Sequence, residues 1–356
     1  MKKLVSLLLA VMLVCSGIAA LAQEEGYVLA LVTDVGNIDD QSFNQGAWEG
    51  VVAFATENNV SYAYYRPSED STEARVESIK AAIDKGAKTV VLPGYLFEDA
   101  VYDVQEQYPE VNFLLLDGEP HSADYAEYKT APNTHCILYK EEQAGYLAGY
   151  AAVKDGYTKL GFLGGMAVPA VVRFGYGFVQ GADDAAAELG VQTEIKFWFC
   201  DSFSPSDDIK TKMNGWYTEG TEVVFSCGGG IYLSAVAAAN EAGAKVIGVD
   251  TDQGHVDPCI ITSAMKDLTN SVKLSLTDLY NNGIVWPEDY SGQTATLGAA
   301  EGCVGLPTVE EHWRFNTFTV EEYNALFEKV KSGEIEISNA TDVAPEVTNS
   351  TVDYQN

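Results

Sequence analysis

Three apolar runs of the sequence end in aspartate, and these carboxylates are the residues whose type and position most suggest chemistry. Asp34 ends the run L-A-L-V-T-D, Asp117 ends N-F-L-L-L-D, and Asp250 ends K-V-I-G-V-D. Ligands of open α/β sheets bind beyond the carboxyl ends of the strands, so a side chain at a strand end is well placed to meet one. A carboxylate has two acceptor oxygens, which suit the hydroxyls of a sugar such as ribose. We interpret the three aspartates as ligand-binding residues.

Carboxylates in one cleft can also hold a metal, because hard cations take oxygen ligands. The sequence lacks the D-x-[DN]-x-[DN]-G spacing of a calcium loop, so we predict no metal site. Aspartates also cap helices and start turns, and this structural role is the prediction for Asp39 and Asp40, which directly precede the first predicted helix. The glycine clusters 164–165 and 228–230 match neither phosphate-loop motif, and we predict no cofactor.

Two phenylalanines lie at the edges of predicted elements on the same side as the aspartates. Phe43 is at the start of the first helix, and Phe203 follows a strand that ends in Cys200-Asp201. An aromatic base between two phenyl faces would gain about 1–3 kcal/mol of stacking. We therefore predict that both rings bind a base, whereas Trp48, well inside its helix, is predicted to pack in the core.

The elements that must position these residues alternate between apolar strands and amphipathic helices, and the alternation restarts near the middle of the chain. Such strands between helices are typical of parallel sheets covered on both faces, the doubly wound α/β arrangement. Two successive series predict two lobes. We assign residues 27–122 with 254–295 to lobe one and residues 123–253 with 296–340 to lobe two. Residues 341–356 are predicted to form a loose polar tail.

The first 22 residues have the pattern of an export signal. Two lysines precede the apolar run Leu4–Val14, and Ala20–Ala22 fits a small-x-small cleavage site. The run is short for a membrane span, and polar residues follow at once. The prediction is an extracytoplasmic protein. Lipid anchoring through Cys15 stays open as an alternative, although the valine before it is a poor match to a lipoprotein site.

The net charge of −31 excludes the partners that need a basic surface. Nucleic acid is not expected, because phosphate binding requires a surplus of lysine and arginine. Five cysteines follow the signal segment, none in a C-x-x-C pair, and we predict free buried thiols. If β-strands follow a 2-1-3 order, Cys200 and Cys227 are about 10 Å apart, too far for a disulfide.

Several motifs of the chain are similar to one family. T-D-V-G-N-I-D-D-Q-S-F-N-Q-G-A-W-E-G resembles the opening of the basic membrane proteins, the purine-nucleoside receptor-like substrate-binding proteins of ABC transporters. The resemblance covers nearly the whole chain after the signal segment. Its further runs are E-Q-A-G-Y-L-A-G (142–149), G-F-L-G-G-M (161–166), R-F-G-Y-G-F-V-Q-G-A (173–182), G-V-D-T-D-Q (248–253) and T-S-A-M-K (262–266).

The resemblance implies a two-lobe periplasmic-binding-protein type I fold and a nucleoside ligand, with an ABC permease as membrane partner and a monomeric chain. In that family two phenylalanines sandwich the base, acidic and amide groups hold the base and ribose, a glycine lies at a strand-end turn, and a lysine after the last crossover reaches the ligand. The matching residues, in that order, are Phe43 and Phe203, then Asp34, Asn44, Asp117 and Asp250, then Gly228 and Lys266.

Other classes are less consistent with the residues. The D-T-D-x-G-x-D-D calcium motif of nucleoside hydrolases is broken here, because Val32 replaces its first aspartate and Asn37-Ile38 adds one residue. No G-x-S-x-G nucleophile elbow occurs. A regulator on the same fold would need a basic helix-turn-helix, which is absent. Within the binding class, a flavin-type ligand remains an alternative to a nucleoside.

Overall fold

Two β-sheets, each covered by helices, organise residues 28–355, the part of the chain that the computed structural model describes. The predicted export signal lies outside the described residues. Strands and helices alternate as predicted, and the doubly wound α/β architecture in two lobes is confirmed.

The first sheet has six parallel strands in the order β11-β5-β4-β3-β1-β2. Its inner strands are buried on both faces, which explains their continuous apolar sequences. The strands are β1 (Leu29–Val32), β2 (Tyr62–Tyr65), β3 (Thr89–Pro93), β4 (Asn112–Leu116), β5 (Thr134–Tyr139) and β11 (Thr294–Leu297). The helices are α1 (Phe43–Asn58), α2 (Thr72–Asp84), α3 (Glu98–Gln105) and α8 (Leu268–Asn281).

The second sheet has seven strands in the order β12-β10-β9-β8-β6-β7-β13, parallel except for the β10–β12 pair. The strands are β6 (Lys159–Gly164), β7 (Thr193–Phe199), β8 (Val223–Cys227), β9 (Lys245–Asp250), β10 (Ile260–Lys266), β12 (Val304–Gly305) and β13 (Ser350–Gln355). The helices are α4 (Glu141–Lys154), α5 (Pro169–Leu189), α6 (Asp207–Thr218), α7 (Tyr232–Ala242) and α9 (Val320–Ser332).

Helices α4 and α5 pack backbone against backbone in the second lobe. Gly145 and Gly149 of α4 face Gly177 and Gly181 of α5, and a Cβ at any of the four would lie within 2.0–2.1 Å of a backbone oxygen of the other helix. Only glycine allows this approach. The tight pair fixes the amino-terminal ends of both helices at the edge of the cleft between the lobes.

The chain crosses between the lobes three times, after β5, after β10 and after β11. The predicted boundaries at 122–123 and 253–254 are therefore wrong, because residues 134–139 belong to the first sheet and residues 260–266 to the second. Buried strands of both sheets have the same apolar pattern, so the sequence does not indicate which sheet a strand joins.

The predicted loose tail is also corrected at its end. Residues 350–355 form β13, which pairs in parallel with β7 at the edge of the second sheet. Tyr354 packs on Phe197 with ring centroids 5.1 Å apart, and Trp216 Nε1 donates to Gln355 Oε1 at 3.1 Å. No residue of this edge strand is buried, so its composition is polar and did not indicate a strand.

Within the described residues the cysteines are free as predicted, but Cys200 is only half-buried, whereas the other four are buried. Strand β6 lies between β7 and β8, and the cysteines at positions 136, 200, 227, 259 and 303 are all free.

Candidate ligand-binding site between the two lobes

A cavity of about 710 Å³, counting the space open to solvent, lies between the carboxyl ends of the two sheets. This volume falls within the range of small-molecule sites. Both lobes line the cavity, and the structure brings all eight predicted site residues to its wall. They are Asp34, Phe43, Asn44 and Asp117 from the first lobe, and Phe203, Gly228, Asp250 and Lys266 from the second.

Asp34 and Asn44 form a hydrogen-bonded unit at one end of this cavity. Asp34 Oδ1 accepts from Asn44 Nδ2 at 2.8 Å and from the Gly36 amide at 2.7 Å, and the Asp34 amide donates to Asn44 Oδ1 at 3.2 Å. Burial raises the pKa of Asp34 to about 6, against these hydrogen bonds, which favour the charged form. The other oxygen, Oδ2, lies toward Gly94 at the cavity wall and can accept from a ligand.

Asp40 organises the start of α1, which is the structural role predicted from its position before this helix. Its carboxylate accepts from the amides of Ser42 at 2.8 Å, Gln45 at 3.0 Å and Asn44 at 3.1 Å, and from Asn44 Nδ2 at 2.9 Å. Burial raises its pKa, and the same hydrogen bonds oppose the rise. Asp40 also lines the cavity. Through its hydrogen bonds it holds Asn44 in position beside Asp34.

The glycine clusters of the second lobe make room for the ring of Phe203. A Cβ at Gly165 would lie 2.5 Å from that ring, and one at Gly228 would lie 3.0 Å from it. Gly228 has φ of 146°, which only glycine adopts readily. The strand-end glycines thus seat an aromatic face against the cavity, opposite the lobe that carries Phe43.

The other end of the cavity is a buried cluster of charges around Lys266. Its Nζ forms an ion pair with Asp117 Oδ2 and lies 3.4 Å from Glu141 Oε1 and 3.9 Å from Asp250 Oδ1. Burial alone would lower the pKa of Lys266, but the three carboxylates outweigh it and raise this pKa, so the lysine is charged. Nζ also lies 4.6 Å from the ring centroid of Phe43, a cation–π contact that joins the lobes.

Two aspartates of this cluster have unusual backbones. Asp117 has φ of 59° and Asp250 has φ of 64°, the left-handed region that costs energy for residues other than glycine. Asp250 Oδ2 accepts a 2.6 Å hydrogen bond from Ser42 Oγ of the opposite lobe, and Asp117 Oδ1 is buried without a hydrogen-bond partner among the described residues. An unpaired buried oxygen can accept from a ligand hydroxyl.

The position of Lys266 relative to the crossings between the lobes differs from what the resemblance implied. It is the last residue of β10, directly before the second crossing, and not after the last one. Because the crossing follows at once, Lys266 can contact carboxylates of both lobes.

Sequence reasoning missed several residues of the site. Arg173 Nε donates to the fully buried Glu141 Oε2 at 2.6 Å and so holds Glu141 beside Lys266. Its neighbour Glu142 is not on the cavity wall, but it is buried with Oε2 unpartnered among residues 28–355, and burial raises its pKa to about 7. Val171 and Phe174 of α5 supply apolar wall. The sequence does carry a signal for the two glutamates, because they are acidic residues at the start of a helix that directly follows an apolar strand.

Metal and membrane-spanning features are not found in the described part of the chain. No group of three or more histidine, cysteine, aspartate or glutamate side chains within residues 28–355 is arranged to hold a metal ion. Across the same residues, every helix is too short or too polar to span a bilayer.

Two α/β lobes joined by three crossings, with a ligand-sized cavity between their strand ends, form the two-lobe fold of the periplasmic binding proteins. The family described as ABC transporter substrate-binding protein PnrA-like (Bmp) matches residues 27–341, and the chain belongs to this family.

Relatives of known description agree with this membership. The chain is 31% identical over 240 residues to "ABC transporter nucleoside-binding protein BmpA" of Lactococcus lactis, covering 64% of each protein, just under two thirds of the relative's length. It is 29% identical over 313 residues to "Basic membrane protein A1" of Borrelia garinii, covering 86% of this chain and 88% of that one.

A solved structure shows the same fold. An ABC transporter solute-binding protein from Aeropyrum pernix K1 superposes with a TM-score of 0.75 at 23% identity, over 89% of this chain and 94% of that one.

Proposed function

We propose that this protein binds a nucleoside, with a purine base, between its two lobes and presents it to the permease of an ABC importer. The observation that carries the proposal is the pairing of one phenyl ring from each lobe, Phe43 and Phe203, on a cavity with a hydrogen-bonding group at each end. A flat base between rings from opposite lobes requires both lobes at once. Binding therefore favours the closed arrangement over an open one.

The ribose is assigned to the end of the cavity around Lys266. Asp117 and Asp250 supply carboxylate oxygens there, including the unpartnered Asp117 Oδ1, and Lys266 supplies a cationic donor. Vicinal hydroxyls both donate and accept, so they suit an array of acceptors around one donor. The arrangement is costly without a ligand, because buried carboxylates that lack hydrogen bonds are penalised.

The base edge is assigned to the opposite end, where Asp34 and Asn44 lie. Asp34 Oδ2 accepts from a ring N–H or an exocyclic amine, while Asn44 is held in place by Asp40 and Asp34. Different charged residues act on the carboxylates at the two ends of the cavity. Asp34 is influenced by Asp40 and Arg75, whereas Asp117 is influenced by Lys266, Glu141 and Asp250.

The remaining assignments follow from the family and the sequence pattern. The chain acts outside the cytoplasmic membrane as a monomer, after removal of the predicted export signal, and docks on its permease in the ligand-bound, closed form. The three crossings serve as the hinge between residues 28–139 with 268–297 and residues 141–266 with 299–355.

A thermal-shift screen tests the proposal. The purified protein is heated with nucleosides, free bases, riboflavin and simple sugars, each at a range of concentrations. A ligand at 100 times its dissociation constant adds about 2.7 kcal/mol to stability. The expected result is a shift with purine nucleosides that exceeds the shift with free bases. A shift with sugars or riboflavin alone would overturn the nucleoside assignment.

A further inference from the structure

A second cavity of about 420 Å³, counting its open space, lies in the first lobe beside the cavity between the lobes. Tyr95 and Leu96, both half-buried on a short 3₁₀ turn after β3, line both spaces and form the wall between them. We refer to this second space as the side pocket. Its other residues include Thr72, Arg75, Glu98, His121, Ala123 and Tyr125.

The side pocket adjoins the Asp34 end of the cavity, and its Glu98 also accepts from the amide of Glu119, two residues after Asp117, at 2.7 Å. Arg75 lines the side pocket, and its charge favours the ionised form of Asp34. Gly94, which precedes the shared wall, lies between Asp34 and Phe43, since a Cβ there would be 3.7 Å from Asp34 Oδ2 and 3.6 Å from the Phe43 ring. A base whose edge reaches Asp34 therefore points its outermost atoms at the wall of the side pocket.

Arg75, which lines the side pocket, carries an unused hydrogen-bond donor. Its side chain is only 5% exposed and its Nη2 pairs with Asp70, but Nε is buried and has no hydrogen-bond partner among the described residues. A buried donor of a charged group without an acceptor is costly. A hydrogen-bond acceptor brought by a ligand would remove that cost.

The surrounding charges favour a neutral acceptor over an anion. Glu98 pairs with His121 at 3.1 Å, and Asp99 accepts from Thr72 at 2.6 Å, so carboxylates outnumber the single arginine around the side pocket. The hydroxyls of Tyr95 and Tyr125 are 2.9 Å apart at its rim. A hydroxyl or carbonyl oxygen fits these groups, whereas a carboxylate or phosphate would meet repulsion.

We propose that the side pocket takes a neutral polar substituent carried on the outer edge of the base, so that the protein accepts nucleosides with substituted bases. This inference rests on the proposed nucleoside function. With the ribose at the Lys266 end, the C6 side of a purine faces Asp34, and an N6 substituent passes the Tyr95–Leu96 wall into the side pocket. Its terminal oxygen then accepts from Arg75 Nε.

Calorimetric titration of the full chain with three ligands tests the inference. They are adenosine, N6-(2-hydroxyethyl)adenosine and N6-propyladenosine, which separate the base, a polar substituent and an apolar one of similar length. We expect the hydroxyethyl compound to bind at least as tightly as adenosine and about tenfold more tightly than the propyl compound, through its hydrogen bond to a charged donor.

A variant that fills the side pocket supplies the second measurement. Ala123→Phe places a ring at its exposed rim without touching the cavity between the lobes, and Ala126→Phe, on the same loop but outside the side pocket, is the matched control. Ala123→Phe should weaken the hydroxyethyl compound at least tenfold and leave adenosine within twofold, while Ala126→Phe changes neither.

The outcomes separate this inference from the function on which it rests. Adenosine binding combined with rejection of the hydroxyethyl compound by more than tenfold, or with equal affinities for the hydroxyethyl and propyl compounds, overturns the side-pocket assignment alone. Ala123→Phe variants that bind all three ligands like the parent protein do the same. Absence of binding for all three compounds while inosine or guanosine still binds overturns this inference alone, whereas absence of binding for inosine and guanosine as well overturns the nucleoside function and this inference together.

Discussion

Ser42 Oγ donates a 2.6 Å hydrogen bond to Asp250 Oδ2 and so joins the two lobes through a residue of the ligand cavity. Around this bond, the Gln41 carbonyl accepts from Thr251 Oγ1 at 2.8 Å and from Gln253 Nε2 at 2.9 Å. Gln41 has φ of 56°, the left-handed region. The loop that begins α1 is thus docked on the end of β9, and the position of Asp250 depends on the contact between the lobes.

Removing the hydroxyl of this bond should weaken ligand binding. In Ser42→Ala the buried Asp250 carboxylate loses its donor, and hydrogen bonds to charged groups contribute about 1.5–3 kcal/mol. We expect affinity for a purine nucleoside to fall about tenfold or more in calorimetry. Ser71→Ala is the control, because Ser71 caps α2 in the same lobe away from the cavity. Equal affinities of the two variants would show that the bond does not support binding.

Loss of the Asp250 carboxylate should discriminate between ligands. Asp250→Ala removes an acceptor assigned to the ribose but leaves both phenyl rings and Asp34 in place. We expect nucleosides to lose at least tenfold in affinity while the corresponding free bases change by less than threefold. Asp201→Ala, another left-handed aspartate after a strand but exposed, serves as control. A similar loss for nucleosides and free bases would refute the ribose assignment.

Lys266 should be essential for stability as well as for binding. Lys266→Met leaves Asp117 buried without its cation and Glu141 with Arg173 alone, and breaking a buried pair in this way typically costs about 3–5 kcal/mol. Urea unfolding at neutral pH measures the loss. Lys273→Met is the matched control, since the Lys273–Glu57 pair is partly exposed and should contribute less than about 1 kcal/mol. The account is wrong if the two substitutions cost the same.

Nucleoside affinity should depend on pH through Asp34. Burial raises the pKa of this carboxyl to about 6, so it is mostly protonated at pH 5 and mostly ionised at pH 7. A ligand N–H needs the ionised acceptor, and binding through Asp34 therefore strengthens as pH rises through the pKa, by about tenfold over this interval.

Other carboxyls of the cavity titrate too, so the informative quantity is the ratio of the parent affinity to that of Asp34→Asn. The amide of that variant does not titrate. We expect the ratio to rise between pH 5 and pH 7 in calorimetric titrations. A ratio that stays constant, or falls, would mean that Asp34 does not accept from the ligand.

The carboxyl-terminal strand should contribute to stability but not to binding. Truncation before Ser350 removes β13, uncovers the edge of β7 and leaves Phe197 without its contact to Tyr354. We expect a loss of about 1–3 kcal/mol in urea unfolding, with nucleoside affinity unchanged within twofold. Unchanged stability would indicate that the strand pairing does not persist in solution.

The sequence predicted the fold class and the residues that line the cavity. It did not predict which strands belong to which lobe. Aspartates at strand ends and phenylalanines at element edges are visible in sequence because parallel strands all end at the same edge of a sheet. The assignment of β5 and β10 to sheets was wrong, since buried strands of both lobes look alike. Glu141 was missed because its buried carboxylate depends on Lys266 and Arg173, which are distant in the chain.

Calorimetric titration of the purified protein with inosine tests the central claim most directly, because it reports binding and turnover in one trace. The expected result is saturable heat with one nucleoside per chain and no heat after saturation, with unchanged inosine recovered from the cell. Absence of binding to inosine, adenosine and guanosine, or continuous heat with release of free base, would contradict the assignment of a nucleoside-binding protein.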